Sequence, residues 1–211
     1  MTRLTALLVL LVTASCGPLN RGSPVRGAVD LAIDKIRGVE EEEAPLVTPE
    51  LVNADEILFV TLRRQGALIP MTKATTVGDV DTWVSGGGAT LALENGVLVA
   101  SRGLGFDLSG VDPIGTVAAI RAGGGSSQRT HGFLNNLDQI DTFSMSCQVS
   151  DVGEEEVELP RGPMTLNKFE ESCRGQRLVF KNEYWANDEG EIVRSLQMLS
   201  PQLGFVLLEK A

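Results

Sequence analysis

The chain has 211 residues, 43% of them hydrophobic and only 5% aromatic, and a formal charge of −10. That length suits one domain with a sizeable core. An acidic chain with no cluster of Lys and Arg excludes a nucleic-acid binder, which needs such clusters to track phosphates.

The N-terminus runs from Met1-Thr2-Arg3 into the apolar stretch "LTALLVLLVTAS". One cation, a short apolar core and small residues at its end form the pattern of a secretory signal. The run is too short to span a bilayer, which takes about 20 residues. "TASC" at 13–16 resembles the lipobox of bacterial lipoproteins, in which the signal is cut before the cysteine and the cysteine is lipidated. Residues 1–15 are therefore expected to be a lipoprotein signal peptide, and 16–27 a lipidated, Gly- and Pro-rich tether starting at Cys16. Gly17, where an Asp would favour the inner membrane, points to the outer membrane. Lipidation of Cys16 leaves Cys147 and Cys173. An exported chain meets an oxidising compartment, so these two are expected to pair; the alternative is two buried free thiols.

Residues 28–211 read as a single β-rich domain. "AVDLAIDKIRG" at its start has helical spacing and a terminal Gly38. The four glutamates at 40–43 read as a solvated connector rather than a metal site. "EILFVTLRR", "LIPMTKATT" and "VDTWVS" are short, β-rich and broken by Gly or Pro. In "TLALENGVLVAS", two apolar runs flank Asn95-Gly96, which predicts a hairpin with a type I′ turn. "DPIGTVAAIRAGGG" predicts a short helix, with Asp112 as cap, Pro113 in the first turn and Gly123 to Gly125 as the stop. The remaining chain reads as successive antiparallel strands, "IDTFSMSCQVSD", "EEVELP", "MTLNKFEESC", "RLVFKNEYWA", "EIVRSLQML" and "GFVLLEK", with "NDEG" as a turn. The expected fold is mainly β: an antiparallel sandwich or partly open barrel with one or two short helices.

Candidate chemistry is sparse. His131 is the only histidine, and beside Gly132 in a Gly/Ser-rich stretch it reads as a turn or surface residue. Asp79 and Asp81 have the D-x-D spacing of some metal sites, but alternate residues share a strand face, which makes them a wet edge. "RGLGFDL" at 102–108 lacks the third glycine of a dinucleotide loop and reads as a tight turn. "GGGSS" at 123–127 lacks the Lys of a phosphate-binding loop and reads as a mobile loop. Glu183 and Asp188, beside Tyr184 and Trp185, form the one carboxylate pair worth weighing for glycoside hydrolysis. No cofactor and no metal are expected.

"TWVSGGGATLALENGVLVASRGLGFDL" at 82–108 and "FKNEYWANDEGEIVRSLQMLSPQLGFVLLE" at 180–209 resemble the YjbF/GfcB family of group 4 capsule polysaccharide lipoproteins. The likeness rests on Trp83, Asn95-Gly96, Arg102-Gly103-Leu104-Gly105 and Asp107-Leu108, then on Asn182, Tyr184-Trp185, Gly190, Ser195, Ser200-Pro201, Leu203-Gly204 and Glu209. Met198 stands where the family would suggest an aromatic. The resemblance implies a mostly β, lipid-anchored protein on the periplasmic face of the outer membrane. It implies a non-enzymatic accessory role in exopolysaccharide or capsule production or export, and an envelope protein of that pathway as partner, with the polysaccharide itself as a further one. It transfers no catalytic residue. Trp83, Arg102, Asp107, Tyr184 and Trp185 are the expected partner or glycan contacts, with Arg102 and Asp107 placed to pair across their turn. An acidic surface argues against an anionic polymer as direct ligand. The alternatives are a periplasmic glycan-processing enzyme using a carboxylate pair, and a carrier of lipid-linked cargo.

Overall fold

The structure, a computed structural model, describes residues 56–211 apart from Asn136 and Asp138. All of these belong to one compact unit, Pro45–Ala211. The expected signal peptide, the tether, the 28–38 helix and the glutamate run lie outside the described residues.

The described strands form one antiparallel sheet of twelve. In chain order they are β1 (Ile57–Leu62), β2 (Ala67–Val77), β3 (Val80–Ser85), β4 (Thr90–Glu94), β5 (Val97–Arg102), β6 (Leu108–Val111), β7 (Gly124–Leu134), β8 (Ile140–Leu159), β9 (Gly162–Gly175), β10 (Val179–Ala186), β11 (Ile192–Ser200) and β12 (Gly204–Lys210), with α1 (Ile114–Arg121) between β6 and β7. The spatial order, β5-β4-β3-β2-β1-β12-β11-β10-β9-β8-β7-β6, leaves β5 and β6 as the edges. These edges adjoin, with Leu108 N donating to Ser101 Oγ at 3.0 Å, so the sheet is a nearly closed barrel. Closing a sheet on itself hides the unpaired backbone that edges would expose. The sequence expectation of a mainly β, partly open barrel holds.

Every connection between neighbours in sequence returns the chain antiparallel, so the turns alternate between two ends. The β1–β2, β3–β4, β5–β6, β7–β8, β9–β10 and β11–β12 connections share one end, here the loop end. The other end carries the remaining turns and α1, here the helix end. Across the loop end, Arg64 Nη1 donates to Gln202 O at 2.5 Å, joining two of its turns.

The interior is filled by inward residues at alternate positions, as strand geometry requires. Leu58, Val60, Met71, Trp83, Leu91, Leu98, Leu199 and Val206 form the main core. Val117, Ala119 and Ile120 of α1 close the helix end against Val149, Phe169, Tyr184 and Ile192. On the outer face, Val157 and Leu166 of the long β8–β9 hairpin cover Trp185.

Asn95 (φ 49°) and Gly96 (φ 82°) adopt the expected type I′ conformation. The helix starts later than the sequence suggested: Pro113 sits at its N-cap and Asp112 Oδ1 accepts from Ile114 N at 3.1 Å. "GGGSS" is not a loop. Gly123 ends α1, but Gly124 to Ser127 already belong to β7. A Cβ on Gly115 of α1 would lie 2.7 Å from Ser127 Cβ, so bare backbone there lets α1 lie directly on β7. "IDTFSMSCQVSD" and "EEVELP" are one strand, β8, carried through a bulge between Asp151 and Gly153 rather than broken by a turn.

Candidate functional site

Cys147 and Cys173 stand directly opposite each other on β8 and β9 and form the expected disulfide. Both point inward, and strand alternation places Glu171 on the same face. Glu171 is fully buried. Its carboxylate meets Arg129 Nη1 at 2.5 Å and accepts from Thr116 Oγ1 of α1 at 2.5 Å, Tyr184 Oη at 2.9 Å and Asn182 Nδ2 at 2.9 Å. Asn182 Oδ1 in turn accepts from Met198 N at 2.8 Å. A buried charge is tolerable only when paired and fully hydrogen-bonded, and Glu171 satisfies both conditions. Burial first, and the Glu171 charge second, push the Tyr184 phenol well up, so Tyr184 is a neutral donor. Glu171 also lies beside the bridge, with a carboxylate oxygen within 4.8 Å of both sulfurs. Sulfurs joined to each other are not thiolate ligands, so the trio does not offer a metal centre.

His131 is not at the surface. It is 1% exposed on β7, facing inward between the rings of Phe133 and Phe180 at 5.7 and 5.2 Å. Burial, then the nearby Arg129 charge, lower its pKa from 6.5 to about 3, which keeps the imidazole neutral. β5, at the sheet edge, is tied to β11 by Gln197, whose side chain accepts from Leu98 N at 2.9 Å and donates to Gly96 O at 3.0 Å.

The expected contact residues have diverse fates. Trp83, Tyr184, Trp185 and Asp107 are buried, and Arg102 is exposed. Trp185 is held between Lys168 and Arg194, whose cations lie 4.9 and 5.0 Å from the ring. Arg102 and Asp107 do not pair. Asp107 accepts from Ser101 Oγ (2.8 Å), Gly103 N (2.9 Å) and Leu104 N (3.2 Å), while Arg102 Nη1 donates to Leu108 O at 3.0 Å. Each stabilises backbone in the β5–β6 turn, the carboxylate by accepting from N–H groups and the guanidinium by donating to a carbonyl. Nor does Glu183 join Asp188. Glu183 faces outward beside Lys168 Nζ at 3.5 Å, while Asp188 lies exposed in the β10–β11 turn.

Among the clefts of the described residues, one lies at each end of the barrel. At the helix end, a cleft of about 340 Å³ has Val117, Ile120 and Ile192 as apolar walls under Asp79, Asp81, Arg121 and Glu189. Several of its charges are already engaged: Asp81 accepts from Thr76 Oγ1 at 2.6 Å, Lys210 binds Glu191 at 2.6 Å, and Arg121 binds Asn95 at 3.0 Å. At the loop end, a cleft of about 270 Å³ is lined by Thr142, Phe143, Ser144, Gln176, Arg177 and Leu178 among others. No helix among the described residues is long and apolar enough to cross a membrane.

The buried network was missed from sequence, where no motif singles out Arg129 or Glu171. The signal was present: if Cys147 and Cys173 pair inside the fold, Glu171, two residues from Cys173, must also point in.

Among solved structures, the fold is similar to that of the hypothetical lipoprotein YmcC from Escherichia coli (K12), with a TM-score of 0.68 at 18% identity over 90% of this chain and 96% of that one. An exported protein of YmcC-like fold from Bacteroides fragilis matches more distantly, with a TM-score of 0.32 at 13% identity over 75% of this chain and 96% of that one. No curated protein matches the chain. The family described as "Group 4 capsule polysaccharide lipoprotein gfcB, YjbF" matches residues 38–210, almost the whole of the described body, and the chain belongs to that family.

Proposed function

We propose that the chain is an outer-membrane lipoprotein, anchored through Cys16 on the periplasmic face, that assists the production or export of exopolysaccharide or capsule without catalysing a reaction. The family match over residues 38–210 carries this reading, and the "TASC" sequence at 13–16 supplies the anchoring cysteine. The non-enzymatic part draws support from how the carboxylates are used. Glu171 is spent on Arg129, Glu183 on Lys168 and Asp107 on its own turn. The reading of a carboxylate-pair enzyme loses its pair, since Glu183 and Asp188 lie on different features. The carrier reading loses its cavity, since Trp83, Leu91 and Tyr184 fill the interior.

Deleting the gene is expected to lower surface polysaccharide, measured by composition analysis of washed cells, while the purified chain leaves that polymer at its original length. Unchanged surface polysaccharide would remove the assisting role. Shortened polymer in the incubation would restore the enzyme reading. Labelling with a palmitate analogue is expected to mark the wild type and not Cys16→Ser, and an unlabelled wild type would remove the anchor.

A further inference from the structure

The net charge of −10 conceals a division between the two ends of the barrel. Along the strands and at the helix end, Lys73, Arg129, Lys168, Arg194 and Lys210 each hold a carboxylate in an ion pair, and nearer the loop end Lys181 holds Glu170. The loop end carries Arg63 and Arg64 in the β1–β2 turn, Arg102 at the end of β5, and Arg174 and Arg177 where β9 turns into β10. All five are exposed, and none forms an ion pair within 4 Å among the described residues. Arg63 acts on Glu209 only through space. The described acids at this end are Asp107, buried and spent in its turn, and Asp141, which accepts from Asn135 at 3.4 Å. The acids Asp79, Asp81, Asp112, Asp188, Glu189 and Glu191 collect at the helix end, with four more glutamates on the β8–β9 hairpin nearby. In an acidic protein, unpaired arginines gathered at one end form a field that attracts anions.

The loop end also holds a cleft suited to a sugar. Its lining gives Phe143 and Leu178 as apolar walls, Thr142, Ser144 and Gln176 as hydrogen-bonding groups, and Arg177 as the charge. A sugar ring offers an apolar face and a belt of hydroxyls, which matches such a lining. At about 270 Å³, the cleft has room for a short segment rather than a long chain. Gly175 shapes it: a Cβ there would lie 2.7 Å from Ser144 O, so only glycine lets the β9–β10 turn approach β8 this closely. A guanidinium fork matches a planar carboxylate through two parallel hydrogen bonds, better than a lysine would.

We infer that the cleft bounded by Phe143, Arg177 and Leu178 binds a carboxylate-bearing sugar unit of an anionic polysaccharide, with the surrounding arginines collecting the polymer. This deepens the polysaccharide role proposed above and rests on it for the identity of the polymer class. A polymer is favoured over an anionic membrane surface because the cleft beside these arginines offers apolar walls and hydrogen-bonding side chains that suit a sugar ring.

The test uses the exported chain carrying Cys16→Ser, so that no lipid enters the assay. The probes are polygalacturonate, uncharged dextran and phosphatidylglycerol vesicles. Binding to polygalacturonate is expected, weakening as salt rises, with none to dextran. The double variant Arg174→Gln/Arg177→Gln is expected to bind about tenfold more weakly, since each exposed charged contact contributes up to about 1 kcal/mol. Arg121→Gln, which removes one positive charge at the helix end, is expected to leave binding within about twofold. No binding to polygalacturonate at low salt, equal losses from the two sets of variants, or vesicle binding in place of polymer binding would each overturn the inference. If polygalacturonate fails while gene deletion still depletes surface polysaccharide, the cleft assignment falls and the proposed function stands. If the arginine-dependent binding holds while deletion changes nothing, the function falls and the site stands.

Discussion

Glu171 and Arg129 illustrate how a charge survives inside this barrel: four donors converge on one carboxylate, and α1 supplies one of them through Thr116. Removing the cation alone leaves the carboxylate buried and uncompensated. Arg129→Leu is therefore expected to cost about 3–5 kcal/mol in urea unfolding. His131 makes a second residue-scale prediction. Its pKa is about 3 in the fold and 6.5 when free, so between these values the unfolded chain binds a proton that the folded chain refuses. Stability from this residue is complete above pH 6.5 and falls as the pH drops towards 3, with a slope approaching about 1.4 kcal/mol per pH unit. Urea midpoints at pH 5 and 6.5 should show a smaller difference for His131→Phe than for the wild type; an equal difference would place the titration elsewhere. Neither residue was legible in place. The Gly and Ser around His131 read as a loop because composition cannot show that a strand packed under a helix requires them.

At the scale of elements, local chemistry was legible and long-range chemistry was not. Asn95-Gly96 specified its hairpin because both residues tolerate the positive φ that a type I′ turn imposes. The Cys147–Cys173 bridge followed from counting thiols in an exported chain. The continuity of β8 was hidden, since a bulge and a turn look alike when Gly153 is flanked by acids. The hairpin has a constraint beyond its dihedrals: a Cβ on Gly96 would lie 2.6 Å from Ile192 Cβ, whereas one on Gly190, also at positive φ, meets nothing within 4 Å. Gly190→Ala is expected to lose about 1–2 kcal/mol, the cost of left-handed backbone. Gly96→Ala should lose clearly more, and equal losses in thermal unfolding would show that the contact with β11 gives way freely. The disulfide staples β8 to β9 across a separation of 26 residues. Its removal in Cys147→Ser/Cys173→Ser is expected to cost about 3–4 kcal/mol in the chain-entropy account, read as a lower urea midpoint that added reductant does not lower further.

For the whole molecule, antiparallel order decides function because it sorts the turns. Six connections meet at one end and bring arginines from distant parts of the sequence together, while acids and α1 occupy the other. Net charge alone suggested a uniformly acidic surface, unsuited to an anionic polymer. The separation of charges becomes visible only once each turn is assigned to an end, which depends on strand order. The β fold itself was legible because frequent turn signals between short β-rich runs leave few other architectures. If a tethered body serves polysaccharide delivery, surface polysaccharide should depend on the anchor, which is measured in cells whose sole copy carries Cys16→Ser. The polymer is expected to fall as far as in the gene deletion although the body is still exported and folded. Wild-type levels of surface polymer from the untethered body would contradict it.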